Sequence, residues 1–244
     1  MRCHLPPHAW CGPIAELDRA ETHYLTHVLR RARGDELDLF DGRGRTASAR
    51  LVDLRSGHAC VEILHEERHP MPAPRLELIQ AVPKGKRMEL VLEKATELGV
   101  AAIRPVLTER TIVRVAEARS DRKIERWRDI LLSAARQCGT AWLPELHPIE
   151  TWPALLARRA DLPECLILGD LAPGTPSLHA ELAAAHQAGA ASLAALIGPE
   201  GDFTQAEKEA ALAIGARPVN LGPTVLRTET AALFMIGAIR YQWL

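Results

Sequence analysis

The sequence predicts an α/β protein in which a parallel-sheet domain follows a small antiparallel β-barrel. Short alternating segments in residues 1–71 are separated by turn dipeptides, which is typical of small barrels. Residues 69–74 form a proline-rich linker. Beyond the linker, strand-like and helix-like segments alternate, as they do in domains built on a parallel sheet. We therefore expect two domains, at residues 1–72 and 73–244.

The first domain combines one helix with several strands. Asp18 followed by Glu21 resembles a capping box and predicts a short helix that ends before Gly34. Alternating segments predict strands at residues 36–40, 47–54 and 58–64. Asp41-Gly42 and Ser56-Gly57 separate these strands, and both dipeptides favour tight turns.

Cysteine and histidine side chains near the start of the chain raise the question of a metal site. They are Cys3, His4, His8 and Cys11. Their spacing fits no standard zinc pattern, and the prolines between them make the segment stiff. Leu5 and Trp10 favour a first strand that packs into the barrel instead, so we predict no metal site.

Arginines are concentrated in the first domain. They are Arg30, Arg31, Arg33, Arg43, Arg45, Arg50 and Arg55. Acidic residues lie between them, so one interpretation is an ordinary solvated surface. The other interpretation is a face that contacts phosphates, for which Arg30, Arg31 and Arg33 are the candidates.

The second domain alternates strands and helices. Strands are predicted at residues 76–82, 102–107, 164–169, 193–197 and 218–221. Helices are predicted at residues 84–98, 122–138, 177–188 and 229–241, with one more beginning after Thr204. Trp127 recurs at helical spacing with other apolar residues, which indicates a core position. Arg122 and Arg126 lie in the basic first half of the same helix and are further candidates for phosphate contact.

Two glycine-containing loops follow the last two strands. Gly198-Pro199-Glu200-Gly201 breaks the first, and residues 222–228 break the second. Because the carboxyl ends of parallel strands meet at one edge of a sheet, the loops predict a pocket for a small polar ligand. The helix that follows is apolar on nearly every side, so we expect it to be buried inside the domain or against a second copy.

Composition restricts the class of protein. The formal net charge of −1 excludes a globally basic nucleic-acid binder but leaves room for a local basic face. The 5 cysteines are scattered and odd in number, which favours reduced thiols in the cytoplasm. No apolar segment is long enough to span a bilayer, so we expect no membrane association.

Several common catalytic motifs are absent from the sequence. It contains no GxxxxGK[ST], no GxGxxG after a strand, no GxSxG and no HExxH. The pocket residues include no obvious nucleophile and base pair. This pattern favours group transfer from a bound donor, in which positioning is the main catalytic effect.

Four segments together resemble one enzyme family. They are GPEGDFTQAE, LGPTVLRTETA, KGKRMELVLEKATELGV and TERTIV, and HYLTHVLRRARGDELDLFDGRG extends the likeness to the first domain. The chain resembles the bacterial small-subunit (16S) ribosomal RNA uridine-N3 methyltransferases of the SPOUT superfamily. The resemblance implies a PUA-like first domain, S-adenosylmethionine as donor, a homodimer, and a carboxyl-terminal trefoil knot. It also implies ribosomal RNA as substrate, near the decoding centre of the small subunit.

The resemblance also implies site residues. The expected cofactor-binding residues are Thr108, Leu168, Leu196, Gly198, Pro199, Glu200, Gly201, Leu221, Gly222, Val225, Leu226 and Arg227. One departure is Thr140, which follows Gln137-Cys138-Gly139 where the family has an arginine. The loss removes an RNA or dimer contact and leaves the donor motifs intact.

Arg227 and Glu200 are the expected catalytic residues. We expect Arg227 to stabilise the developing uridine anion, and Glu200 to orient a pocket group or accept the proton. The alternative for Arg227 is an ion pair with Glu229 or Glu200. Other functions that the sequence leaves open are methylation of another RNA, RNA binding without catalysis, and an enzyme acting on small molecules.

Overall fold

The computed structural model describes residues 2–55, 57–112 and 121–244. Ser56 of the predicted turn and Val113 of the TERTIV segment lie outside these residues. The chain divides into two compact units. One contains Met1–Met71 and Leu132–Leu143, and the other contains Pro72–Leu131 and Pro144–Leu244.

The first unit is built on a five-stranded sheet with the order β1-β3-β4-β5-β2. Its strands are β1 (Arg2–His4), β2 (Ile14–Leu17), β3 (Glu36–Phe40), β4 (Arg45–Arg55) and β5 (His58–Arg68). The predicted antiparallel pairing is confirmed for three pairs, whereas β1 and β3 are parallel. The connection from His4 to Glu36 is long enough for the chain to return to the same end of the sheet, as a parallel pair requires. Leu5 and Trp10 lie in the core of this unit, as predicted.

The predicted helix in the first unit is α1 (Arg19–His23), which continues as a π-helical turn at Tyr24–Val28. The Asp18 side chain accepts a hydrogen bond from the Glu21 N–H at 2.8 Å and so caps the helix. Glu21 does not complete the capping box. Its buried carboxylate instead accepts from the His4 N–H at 3.1 Å and pairs with Arg136.

The second unit contains a seven-stranded parallel sheet. The strands are β6 (Arg75–Ala81), β7 (Ala102–Leu107), β8 (Glu145–Leu146), β9 (Glu150–Thr151), β10 (Cys165–Gly169), β11 (Ser192–Ile197) and β12 (Ala216–Val219). Their order is β12-β10-β11-β6-β7-β8, and β9 also pairs with β7. The predicted parallel-sheet α/β fold is confirmed. β10 lies between β11 and β12, so the connection from β11 to β12 passes back across β10 to the edge of the sheet. In open α/β sheets, ligands bind beyond the carboxyl ends of the strands where the strand order reverses.

The helices of the second unit connect or follow these strands. They are α2 (Arg87–Glu97), α3 (Asp121–Cys138), α4 (Trp152–Leu156), α5 (Leu178–Gln187), α6 (Gln205–Ala213) and α7 (Thr228–Gln242). The last part of α3, residues 132–138, belongs to the first unit. α2 begins later than predicted because Gly85 has a φ of 71°, which a helix does not accommodate. Trp127 is 1% exposed, which confirms its core position.

The carboxyl-terminal helix has both buried and exposed residues. Ala232, Met235, Ile236 and Ile239 of α7 are fully buried within the second unit. Phe234 and Tyr241 are exposed to 49% and 79%. The described part of the chain contains no helix with the length and apolarity needed to cross a membrane. All five cysteines, each of them in the described part, are free thiols.

Candidate functional site

A cavity of about 340 Å³ lies at the carboxyl ends of β10, β11 and β12. Its volume is in the range of small-molecule sites. The residues that line it are Arg87, Gly169, Asp170, Leu171, Ile197, Gly198, Pro199, Glu200, Asp202, Leu221, Gly222, Thr224, Val225, Leu226, Arg227, Thr228, Glu229 and Ala231. Both glycine-containing loops therefore contribute to one cavity, as the sequence predicts.

The loop after β11 requires glycine where it approaches the α6 helix start. A β-carbon on Gly198 would lie 3.2 Å from the Phe203 ring and backbone nitrogen, so a larger residue would force the loop away. Asp202 has a φ of 61°, and its N–H donates to the Pro199 carbonyl at 2.9 Å. Thr204 then begins α6 with the predicted capping box, which Glu207 completes. These contacts determine the path of the loop along the cavity.

The loop after β12 forms the opposite wall. Asn220 accepts a hydrogen bond from the Gly222 N–H at 2.7 Å, and Gly222 has a φ of 131° that favours glycine. Val225 is 76% exposed at the cavity rim. Arg227 is the exposed residue that precedes α7, and its carbonyl accepts from the Ala231 N–H at 2.8 Å.

A buried chain of hydrogen bonds joins three elements beneath the cavity. Gln80, at the end of β6, donates from Nε2 to Thr228 Oγ1 at 3.0 Å. Thr228 donates in turn to the Gly198 carbonyl at 2.6 Å. Gln80 and Thr228 are 0% and 5% exposed, so water does not compete for these bonds. The chain links the start of α7 to the loop after β11.

Arg87 lines the cavity and contacts two of its carboxylates. Its Nη1 donates to Glu200 Oε1 at 2.5 Å, and its Nε lies 3.6 Å from Glu229 Oε1. Glu200 Oε1 also accepts from the Lys84 N–H at 3.0 Å. Partial burial raises the pKa of the Glu200 carboxyl, but the hydrogen bonds from its own N–H, from Lys84 and from Arg87 outweigh this effect and lower the pKa overall.

A second charged group lies beside the cavity. The Lys208 ammonium contacts Asp170, which follows β10, and donates to Asp202 Oδ2 at 2.8 Å. Burial lowers the pKa of Lys208, but the hydrogen bonds to both carboxylates raise it more. Lys208 therefore stays charged and links the loops after β10 and β11.

Most of the residues expected to bind a cofactor line this cavity. They are Gly198, Pro199, Glu200, Leu221, Gly222, Val225, Leu226 and Arg227. Leu168 and Leu196 lie in the hydrophobic core that supports the strand ends. Thr108 is 8% exposed and its hydroxyl lies 2.8 Å from that of Thr111. Gly201 lies against Arg110, which donates to its carbonyl at 2.7 Å.

The expected alternative for Arg227, an ion pair with Glu200 or Glu229, is not found among the described residues. Arg87 contacts both carboxylates instead. The sequence reasoning assigned no role to Arg87, Gln80 or Lys208. Arg87 lies within one of the recognised family segments, which was the only signal that could have identified it.

The candidate RNA-binding arginines lie in both units. In the first unit, Arg30 and Arg33 are exposed, and Arg31 Nη1 lies 3.7 Å from Asp35 Oδ2. Arg30 has a φ of 53°, which is uncommon for a residue with a side chain. In the second unit, Arg122 is exposed, and Arg126 donates to Glu89 at 2.7 Å.

Comparisons with known proteins agree with this architecture. Residues 69–240 match a family model described as an RNA methyltransferase domain. Residues 17–64 match a model described as an RNA methyltransferase PUA domain. The two matches fall in the segments that carry the parallel sheet and the first sheet.

Individual relatives are similar over nearly the whole chain. Ribosomal RNA small subunit methyltransferase E of Synechocystis sp. is 36% identical over 91% of this chain and 72% of the relative. The structure of the Neisseria gonorrhoeae enzyme of that name, bound to S-adenosyl methionine, is 34% identical with a TM-score of 0.85, over 99% of this chain and 97% of that chain. A putative methyltransferase of Legionella pneumophila with bound cofactor SAM is 29% identical with a TM-score of 0.83, over 98% and 96% of the two chains.

Proposed function

The chain belongs to the RNA methyltransferase family, and from that membership we propose that it methylates ring nitrogen three of a uridine in small-subunit ribosomal RNA. The donor is S-adenosylmethionine, and the target lies near the decoding centre. The observation that carries the proposal is the cavity at the ends of β10, β11 and β12, which both family loops line.

The residues of the cavity suit a sulfonium donor. Four carboxylates but only two guanidinium groups line it, so its charge favours a cationic ligand. Ile197, Leu226 and Ala231 add apolar surface, and the backbone of Gly198 and Gly222 can approach a ligand closely. When bound, the donor supplies an electrophilic methyl group. The protein binds it, orients it and excludes water from it.

Arg227 is proposed to stabilise the uridine anion that forms as the ring nitrogen loses its proton. Its guanidinium is exposed at the cavity rim, and Arg87 already contacts the two nearby glutamates. Arg227 therefore has no ion pair among the described residues, and its guanidinium can contact the substrate anion. Glu200 is proposed to hold the loop after β11 in position, since its carboxylate already accepts from Lys84 and Arg87.

RNA binding is proposed to involve residues 1–72 as an RNA-binding domain, with 73–244 as the catalytic domain. Arg30, Arg31 and Arg33 in the first domain and Arg122 and Arg126 in α3 would contact phosphates, so binding should weaken as salt rises. The target uridine would turn out of the RNA into the cavity. The assembled small subunit is the proposed substrate, and the cytoplasm the proposed location.

We further propose that the enzyme is a homodimer and that its last strands and α7 form a trefoil knot. Phe234 and Tyr241 are exposed on α7 and lie seven residues apart, close to two helical turns. A β-carbon on Gly237, between them, would meet no atom within 4 Å. Such an apolar face suits contact with a second copy. The resemblance to the SPOUT superfamily is the ground for the knot.

The decisive experiment maps methylated uridines in ribosomal RNA from cells with and without this protein. We expect one N3-methyluridine in the small-subunit RNA to disappear and to return with the wild-type gene. An unchanged map would refute the proposed substrate.

Titration with S-adenosylmethionine separates this enzyme from a non-catalytic RNA-binding protein. Methyl transfer without RNA would support an enzyme acting on small molecules.

A further inference from the structure

The four carboxylates that line the cavity differ in how many donors they meet. Asp170 and Asp202 both contact the Lys208 ammonium. Glu200 accepts from the Lys84 N–H and from the Arg87 guanidinium. A carboxylate that already accepts such bonds is a weak proton acceptor, because protonation would sacrifice them. These three groups are therefore poorly suited to remove a proton from a substrate.

Glu229 has a different environment. Its side chain is 12% exposed, and its Oε1 lies 3.6 Å from Arg87 Nε, beyond hydrogen-bonding distance. Its Oε2 is buried and has no hydrogen-bond partner among the described residues. Leaving a buried carboxylate oxygen without a donor is costly, so such an atom in a cavity wall calls for a functional explanation.

The position of Glu229 agrees with a role in the reaction. It lies at the start of α7, two residues after Arg227, so both side chains come from one short segment at the cavity. Because no hydrogen bond from the described residues holds its carboxylate, the side chain can turn towards a ligand without breaking one.

We propose that Glu229 is the general base of this methyltransferase, which rests on the function proposed above. Its Oε2 takes the proton from ring nitrogen three of uridine, so the N–H bond breaks and an O–H bond forms. The electron pair left on nitrogen forms the new bond to the methyl carbon. The carbon–sulfur bond breaks, its electron pair stays on sulfur, and a neutral thioether leaves. Arg87 positions the glutamate, and Glu200 keeps Arg87 in place.

The test compares E229Q with E229D, E200Q and the control E209Q, which changes an exposed glutamate outside the cavity. Single-turnover methyl transfer is measured on RNA made with uridine and on the same RNA made with 5-fluorouridine. Fluorine withdraws electrons, so the ring nitrogen loses its proton more readily. Affinity for S-adenosylmethionine is measured separately by calorimetry, and folding by thermal unfolding.

We expect E229Q to slow transfer to uridine by roughly 10²- to 10⁴-fold while donor affinity changes by less than about threefold. The 5-fluorouridine RNA should recover at least about tenfold of that loss. E229D keeps the charge at the helix start, but its side chain is one methylene shorter and moves the carboxylate away from the ligand. This variant should therefore fold normally and show the same rescue. E209Q should match the wild type on both RNAs.

Three results would overturn the assignment. In the first, E229Q and E229D retain the wild-type rate of methyl transfer. In the second, they are equally slow on the uridine and 5-fluorouridine RNAs. In the third, their affinity for S-adenosylmethionine falls in proportion to the rate of transfer. The last two would mean that Glu229 only supports the site. Loss with 5-fluorouridine rescue in E200Q instead would give the role to Glu200. If the wild type neither binds the donor nor methylates the RNA, the proposed function itself fails.

Discussion

Replacing Thr228 with valine should destabilise the second unit through two buried hydrogen bonds. Valine has the same shape but neither accepts from Gln80 Nε2 nor donates to the Gly198 carbonyl. Gln80 keeps its bond to the Ala81 carbonyl at 2.9 Å, whereas the described structure offers the Gly198 carbonyl no second donor. The lost bond from Gln80 costs about 1 kcal/mol and the Gly198 carbonyl left without a donor costs about 1–2 kcal/mol, so the loss is about 2–3 kcal/mol.

The assay is thermal unfolding, in which that loss corresponds to a fall in midpoint of about 5–10 °C for a unit of this size. Thr230, exposed in the same helical turn, provides the matched control, and T230V should shift the midpoint by less than about 2 °C. A double-mutant cycle with Q80M should give a coupling of about 1–2 kcal/mol, because each single variant already removes the hydrogen bond that the two residues share. Equal midpoints for T228V and T230V, or no coupling with Gln80, would refute the reasoning.

Three other perturbations test separate features. R227A should reduce methyl transfer by at least roughly 10²-fold and leave donor affinity largely intact, and turnover at the wild-type rate would exclude its role. W127A should cost about 3–5 kcal/mol in urea unfolding, because the indole is 1% exposed, whereas a loss below about 1 kcal/mol would contradict a core position. Burial lowers the pKa of His4 and, together with Arg104, that of His147. Both imidazoles are therefore neutral in the folded protein at neutral pH. Their stabilising contribution is complete above about pH 6.5, the unfolded pKa, and is lost as the pH falls through the folded pKa values. Urea midpoints should thus fall on acidification, and the fall should be smaller in H4Q/H147Q; equal falls would contradict this assignment.

Much of the fold follows from local sequence features. The strand predicted at residues 102–107 is β7, and the Thr204 capping box begins α6 as expected. The strand predicted at 218–221 instead spans Ala216–Val219. Pro218 was expected to begin that strand but lies within it, because β12 is an edge strand that needs no proline N–H on its open side.

The glycine-containing loops, the helix caps and the apolar faces were determined by the sequence itself, because each depends on residues a few positions apart. They were sufficient to predict a pocket at the sheet edge. The family resemblance then identified eight of the residues that line it.

Only the tertiary structure decided which charged and polar groups meet. Arg87 and Glu200 are 113 positions apart, and Gln80 and Thr228 are 148 apart. Periodicity shows which face of an element is apolar, but it does not show which loop that face will approach. Arg87 rather than Arg227 contacts Glu200 and Glu229 for this reason. The same packing leaves Glu229 Oε2 buried and without a donor in the described parts of the chain.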